Sequence, residues 1–135
     1  MAWRVYIDEK HPRVVMLVNQ GTLTLQDYRE QIAEAWALGQ QEGIIDFCVD
    51  DRDLAPRMSI LEVYQFPAIY SEVGVDRSAK IAVIMNPKLA DSRSLRFYED
   101  VCRNEGYNVT LFDTEDQAFA WLERVPGIPS SRGGL

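Results

Sequence analysis

The chain has 135 residues, 47% hydrophobic and 26% charged, which suits one globular domain able to bury a core and rules out a disordered chain. Its formal charge of -7 argues against nucleic acid and against an anionic membrane surface, since both need clustered Lys and Arg. The two cysteines, Cys48 and Cys102, have no Cys or His neighbour at metal-ligand spacing and read as reduced, core-filling thiols.

Residues 3–8 alternate Trp3, Val5 and Ile7 against Arg4, Tyr6 and Asp8, and residues 13–18 form a more continuous apolar run. The short link through His11 and Pro12 makes these two strands a hairpin. Asn19-Gln20-Gly21-Thr22 breaks the pattern. Thr24 then stands as a helix cap, with Asp27 placed to face the helix dipole. Leu25, Tyr28, Ile32, Ala35, Trp36 and Gly39 recur every three or four residues, so a helix ending near Gly43 should pack on a sheet, with Tyr28 and Trp36 as core anchors.

Ile44 to Asp50 has the β-branched character of a buried parallel strand, and it passes abruptly into the charged loop Asp51-Arg52-Asp53. Ser59 and Glu62 have capping-box spacing, which starts a second helix at Ser59. That helix should turn Leu61, Tyr64 and Ala68 inward, joined less regularly by Ile69, and Pro67 predicts a kink or break near Tyr64. Lys80 to Met85 is a second parallel-type strand, ended by Asn86-Pro87-Lys88. A third helix, capped by Asp91 or a neighbouring Ser, carries Leu95, Tyr98, Val101 and Cys102 on one side and stops at Gly106. Asn108 to Phe112 is the last strand. Thr114 to Gln117 opens a short helix that buries Phe119 and Leu122, with Ala118 and Val125 beside them.

The order β-β-α-β-α-β-α-β-α predicts an α/β fold with a five-stranded mixed sheet, mostly parallel, opened by an N-terminal hairpin and joined to about four helices. One domain spans residues 1–125, and the Pro-, Ser- and Gly-rich residues 126–135 read as a flexible tail. The N-terminus has no basic region followed by an apolar core, so neither export nor membrane insertion is expected and the cytoplasm is the expected location.

The Thr24-x-x-Asp27-Tyr28 helix start, the strand-to-loop Val49-Asp50-Asp51-Arg52-Asp53-Leu54 and the closing helix from Thr114 together resemble the SpoIIAA-like group of STAS-type proteins over roughly residues 14–122. The resemblance implies a non-enzymatic regulatory domain that binds another protein through the loop after the central strand and the following helix N-terminus. In the anti-sigma-factor antagonists of that group, a serine in an Asp-Ser-Ser-Gly-like motif at this helix start is phosphorylated by a partner kinase. Ser59 lies in the corresponding region, but within Arg57-Met58-Ser59-Ile60-Leu61 rather than that motif. Glu62 already accounts for Ser59 as a cap. As a phosphosite, Ser59 would gain from the helix dipole and from Arg52 or Arg57.

Sheet edges where parallel strands end are the usual place for ligands and partners in open α/β sheets. The candidate binding residues are therefore Asp51, Arg52, Arg57, Met58, Ser59, Asn86 and Lys88. Adjacent acids at a strand end also occur in magnesium sites, but these need a second aspartate one strand later, where this chain has Asn86. No metal or other cofactor is expected. His11 is the single histidine and sits in the hairpin turn, so no nucleophile–base pair is visible. An alternative reading makes the protein a small-molecule or lipid-binding module, with an apolar pocket lined by Tyr64, Phe66 and Tyr70 at the same sheet edge, by analogy with the distantly related CRAL-TRIO architecture. A homodimer enters only as the commonest soluble assembly.

Overall fold

The computed structural model describes residues 3–54, 60–86 and 92–123. Nine elements follow in the order β1 (Trp3–Ile7), β2 (Val14–Gly21), α1 (Leu25–Glu42), β3 (Asp46–Leu54), α2 (Ile60–Val73), β4 (Lys80–Ile84), α3 (Ser92–Asn104), β5 (Asn108–Phe112) and α4 (Glu115–Leu122). The strands form one sheet in the order β1-β2-β3-β4-β5, antiparallel between β1 and β2 and parallel elsewhere. The predicted α/β class, element order, mixed and mostly parallel five-stranded sheet and opening hairpin are those of the structure.

Each crossover from β2 onward steps one strand in the same direction, so a single hand of connection puts α1, α2 and α3 on one face of the sheet. That face carries the larger core, in which Val15, Leu17, Phe47, Ile81, Val83 and Val109 meet Tyr28 and Ile32 of α1, Phe66 and Ile69 of α2 and Cys102 of α3. The reverse face, with Val14, Met16, Cys48, Ala82 and Ile84, is packed by Ala118, Phe119 and Leu122 of α4. Strict alternation along β2 and β3 is what divides the two cores.

Helix α1 begins with a reciprocal capping box. Thr24 Oγ1 accepts from the Asp27 N–H at 3.1 Å, and Asp27 Oδ2 accepts from the Thr24 N–H at 2.9 Å. It stops at Gly43, whose φ of +70° is the left-handed conformation that favours glycine at a helix end. Gly39 is required for a different reason, because a Cβ there would sit 2.6 Å from the Ile44 carbonyl oxygen. Gly39→Ala is expected to destabilise the protein by about 1–2 kcal/mol in urea unfolding, because the backbone clash outweighs the roughly 1 kcal/mol that alanine normally gains in a helix.

Several sequence expectations need correction. β2 does not stop at Val18 but continues through Asn19 and Gln20 to Gly21, and β3 runs on to Leu54. The supposed charged loop is therefore the second half of the central strand. Ile44 is buried but precedes that strand, and Val49 is only partly buried against the core.

Helix α2 runs from Ile60 to Val73 without a break at Pro67. Its inward residues are Phe66, Ile69 and Tyr70, while Tyr64, at 58% exposed, and Ala68 face outward. Trp36 is half-buried and packs on the core beside Phe47, at 5.8 Å between ring centroids. The expected cap at Ser59, the Asp91 cap, the inward roles of the Leu61, Leu95 and Val125 side chains, and the tail 126–135 lie outside the described residues or side chains.

Candidate functional site at the carboxyl end of the central strand

Strands β2 and β3 keep regular register from Val14↔Asp46 to Val18↔Asp50, then resume at Gln20↔Asp53. Asn19 on β2 is thus faced by two residues, Asp51 and Arg52, on β3. This is a β-bulge, and alternation along β3 carries through it. Asp51 keeps the side of Phe47 and Val49, under the helices α1 to α3. Arg52 emerges on the opposite side, toward α4.

On the first side lies a buried polar chain. Gln31 Nε2 of α1 donates to Asn19 Oδ1 at 2.6 Å, and Asn19 Nδ2 donates to Asp51 Oδ1 at 2.7 Å. Gln31 and Asn19 are each 1% exposed, and each relies on the other for a partner. The carboxylate fixes the orientation of both amides, because an acid oxygen can only accept from Asn19 and so turns its carbonyl toward Gln31. Burial lifts the Asp51 carboxyl from its ordinary 3.8 to about 6; the Asn19 bond opposes that rise and the neighbouring Asp50 charge adds to it. On the same side, the hydroxyls of Tyr70 and Tyr98 share a 2.9 Å hydrogen bond. Burial holds both phenols above their usual range, so they stay protonated, and each also feels the charge of Asp51.

On the other side, Arg52 grips Asp50 in a fork, Nε to Oδ1 at 2.9 Å and a terminal amino group to Oδ2 at 2.7 Å, with the Arg52 N–H also donating to Oδ1 at 3.1 Å. Glu115, in the first turn of α4, comes within 3.8 Å of the same guanidinium. Burial works to raise the Asp50 carboxyl, but the Arg52 hydrogen bonds and charge outweigh it and hold the group below the usual carboxylate range. Arg52 has 41% of its side chain exposed and is held in one pose by a two-pronged contact.

Of the predicted site residues, Asp51 and Arg52 are adjacent in sequence and separated in space by the sheet. Asn86 lies two residues beyond the end of β4, the strand beside β3, and is half-buried there. Arg57, Met58, Ser59 and Lys88 fall outside the described residues. Asn19 and Gln31 are not among the expected site residues, although both are readable: Asn19 continues the alternation of Val15 and Leu17, and Gln31 stands three residues after Tyr28 and four before Ala35 on the buried face of α1.

Among the described residues no three His, Cys, Asp or Glu side chains gather to hold a metal ion. Burial pushes the thiols of Cys48 and Cys102 up to about 12, so neither is a ready nucleophile. His11 is not a bare turn residue: it stacks on Phe119 at 3.6 Å between centroids, and its Nδ1 lies 3.0 Å from Glu123 Oε2. Phe66 and Tyr70, expected to line an apolar pocket, are packed in the main core.

No family model matches the sequence, and no curated protein does. A solved structure does match: the anti-sigma factor antagonist SpoIIAA in its unphosphorylated form, at a TM-score of 0.52 and 15% identity, covering 92% of this chain and 100% of that one. The chain therefore has the SpoIIAA-like, STAS-like fold. No helix among the described residues is long and apolar enough to cross a membrane.

Proposed function

We propose that this is a non-enzymatic regulatory domain of the STAS-like kind, which binds another protein through the carboxyl end of β3 and the start of α2 in the cytoplasm. The fold shared with SpoIIAA, itself described as an anti-sigma factor antagonist, supports the regulatory part of the reading. The observation that carries the location is Arg52, half-exposed yet fixed by Asp50. A charged side chain already held in one pose loses less freedom on binding than a floppy one, which is what an interface anchor needs. Asp51, next to it in sequence but on the helix-covered side of the sheet, and Asn86, two residues past the end of β4, belong to the same proposed region, and Arg57, Met58, Ser59 and Lys88 complete it from the sequence. Ser59, directly before the first residue of α2, is the proposed point of phosphoryl control.

The test is capture of partners from extract by wild type, Arg52→Ala and Arg52→Glu, with circular dichroism as the folding control. Arg52→Glu is expected to reduce capture by at least about tenfold, because a glutamate would face Asp50 and Glu115 with like charge. Arg52→Ala should fall between the two. The same proteins held equally by all three forms would overturn the proposed location.

A further inference from the structure

The sheet has two edges, and they differ in how they are covered. At β5 the Met85 N–H donates to the Phe112 carbonyl, so Thr110 and Phe112 turn their backbone groups toward β4 while Val109 and Leu111 turn theirs outward. Helix α3 occupies that outward row. Arg103 Nε donates to the Val109 carbonyl at 2.9 Å, the Leu111 N–H donates to Glu99 Oε2 at 2.9 Å, and the two side chains lie 3.8 Å apart. A further strand could add at β5 only by displacing them.

Nothing comparable covers β1 among the described residues. Its register with β2 runs unbroken from Trp3↔Asn19 to Ile7↔Val15, with no bulge and no proline to spoil the outer side. Alternate residues therefore leave N–H and C=O groups pointing away from β2, and no described side chain bonds to them. The side chains suit a sheet interior better than an edge. Trp3, Val5 and Ile7 are only partly buried against the larger core, and Tyr6 only partly against the reverse one. Arg4 is the strand's one charge, and its guanidinium lies 5.0 Å from the Tyr6 ring centroid.

We infer that β1 is a homodimer edge, pairing antiparallel with β1 of a second copy about a two-fold axis at Val5, so that the two sheets join into one. The strand Trp-Arg-Val-Tyr-Ile is self-complementary in that register. Val5 meets Val5, Trp3 meets Ile7 on the helix-covered side, and Arg4 meets Tyr6 on the other, so each guanidinium gains a second ring. Asp8, directly after the strand, adds a carboxylate diagonal to Arg4 of the second copy. An axis at Arg4 would instead set two guanidiniums opposite each other, and one at Tyr6 would pair only the stretch from Val5 to Ile7. A strand from another protein would have to reproduce this pattern, whereas a second copy supplies it by symmetry. Strand β2 separates β1 from β3, so this contact is distinct from the proposed partner surface and stands or falls without it.

Sedimentation equilibrium tests it, with circular dichroism as the folding control. Five paired residues a side make less than a standard interface, so a dimer with a Kd of about 100 µM or tighter is expected. Arg4→Glu should weaken it at least about tenfold, since both cross-strand ring contacts are lost. Tyr6→Arg should weaken it further by setting guanidinium against guanidinium. An equimolar mixture of these two variants should dimerise more tightly than either alone, because a glutamate then faces an arginine across the axis. Val5→Cys should form an intermolecular disulfide on mild oxidation and Ile7→Cys should not, because position 5 meets itself at the axis while the two copies of position 7 stand about 14 Å apart. Cys48 and Cys102 are buried, which leaves the introduced thiol as the accessible one. A chain that stays monomeric up to about 0.5 mM, a dimer that Arg4→Glu leaves unchanged, or cross-linking at position 7 rather than 5 would each overturn the inference.

Discussion

Asp51→Asn is expected to raise the unfolding free energy near neutral pH by about 2 kcal/mol, with no gain near pH 4. The folded carboxyl titrates at about 6 against an ordinary 3.8, so the folded state holds its proton more tightly than the unfolded chain does. Such a group contributes its stability fully below the unfolded value and loses it as the pH rises through the folded one. A rise of that size is equivalent to about 3 kcal/mol between the two protonation states. Part of this is not recovered in the variant, because an amide oxygen accepts the Asn19 bond less strongly than a carboxylate does.

Asp50 behaves in the opposite sense. Its lowered value contributes stability above the ordinary carboxylate range and loses it as the pH falls. Both proteins carry Asp50, so the difference between their urea-unfolding curves across about pH 4 to 8 isolates Asp51 to first order. The gap should open between about pH 4 and pH 6 and stay level above about pH 7. Curves that superimpose throughout would mean that the folded carboxylate is as well solvated as the unfolded one. Asp51 thus stands at a bulge in the second half of β3 as a group whose charge is expected to work against folding at neutral pH.

What the sequence displays and what it hides follow from the range of each signal. Apolar β-branched runs at Lys80–Ile84 and Asn108–Phe112, and the paired cap and glycine stop around α1, are local, and they are enough for the element order and the sheet. The second half of β3 is not local. Four charged residues in a row read as a loop, and only pairing with β2, some thirty residues earlier, makes them a strand. Once the segment is known to be a strand, ordinary alternation divides Asp51 from Arg52; the bulge opposite Asn19 depends on the β2–β3 register and leaves no local mark. Helix α2 misleads for another reason. It is apolar around much of its circumference, and the stripe from Leu61 through Tyr64 to Ala68 fits the helical period as well as the stripe Phe66, Ile69, Tyr70 that the structure buries. The stacking of His11 on Phe119 joins residues near opposite ends of the chain and leaves no mark in either segment.

Asn19→Ala is expected to cost about 3 kcal/mol near neutral pH, far more than the roughly 0.5 kcal/mol typical of a surface substitution, because it strands two buried groups at once. Gln31 Nε2 loses its acceptor and Asp51 Oδ1 its donor, and neither has another partner in the described network. The Asn19 bond also restrains the upward shift of Asp51, so its loss should move that carboxyl above 6 and make the penalty larger at neutral pH than below about pH 5. Combining Asn19→Ala with Asp51→Asn separates the two contributions. The amide carries no charge to strand, so the double variant should be more stable than Asn19→Ala alone, with a coupling energy of about 1 kcal/mol or more in the cycle. Urea unfolding of the four proteins at two pH values is sufficient. A loss below about 1 kcal/mol for Asn19→Ala would mean that water enters and replaces the amide, in which case the end of β3 is an open, solvated edge and its acid is held by solvent rather than by α1.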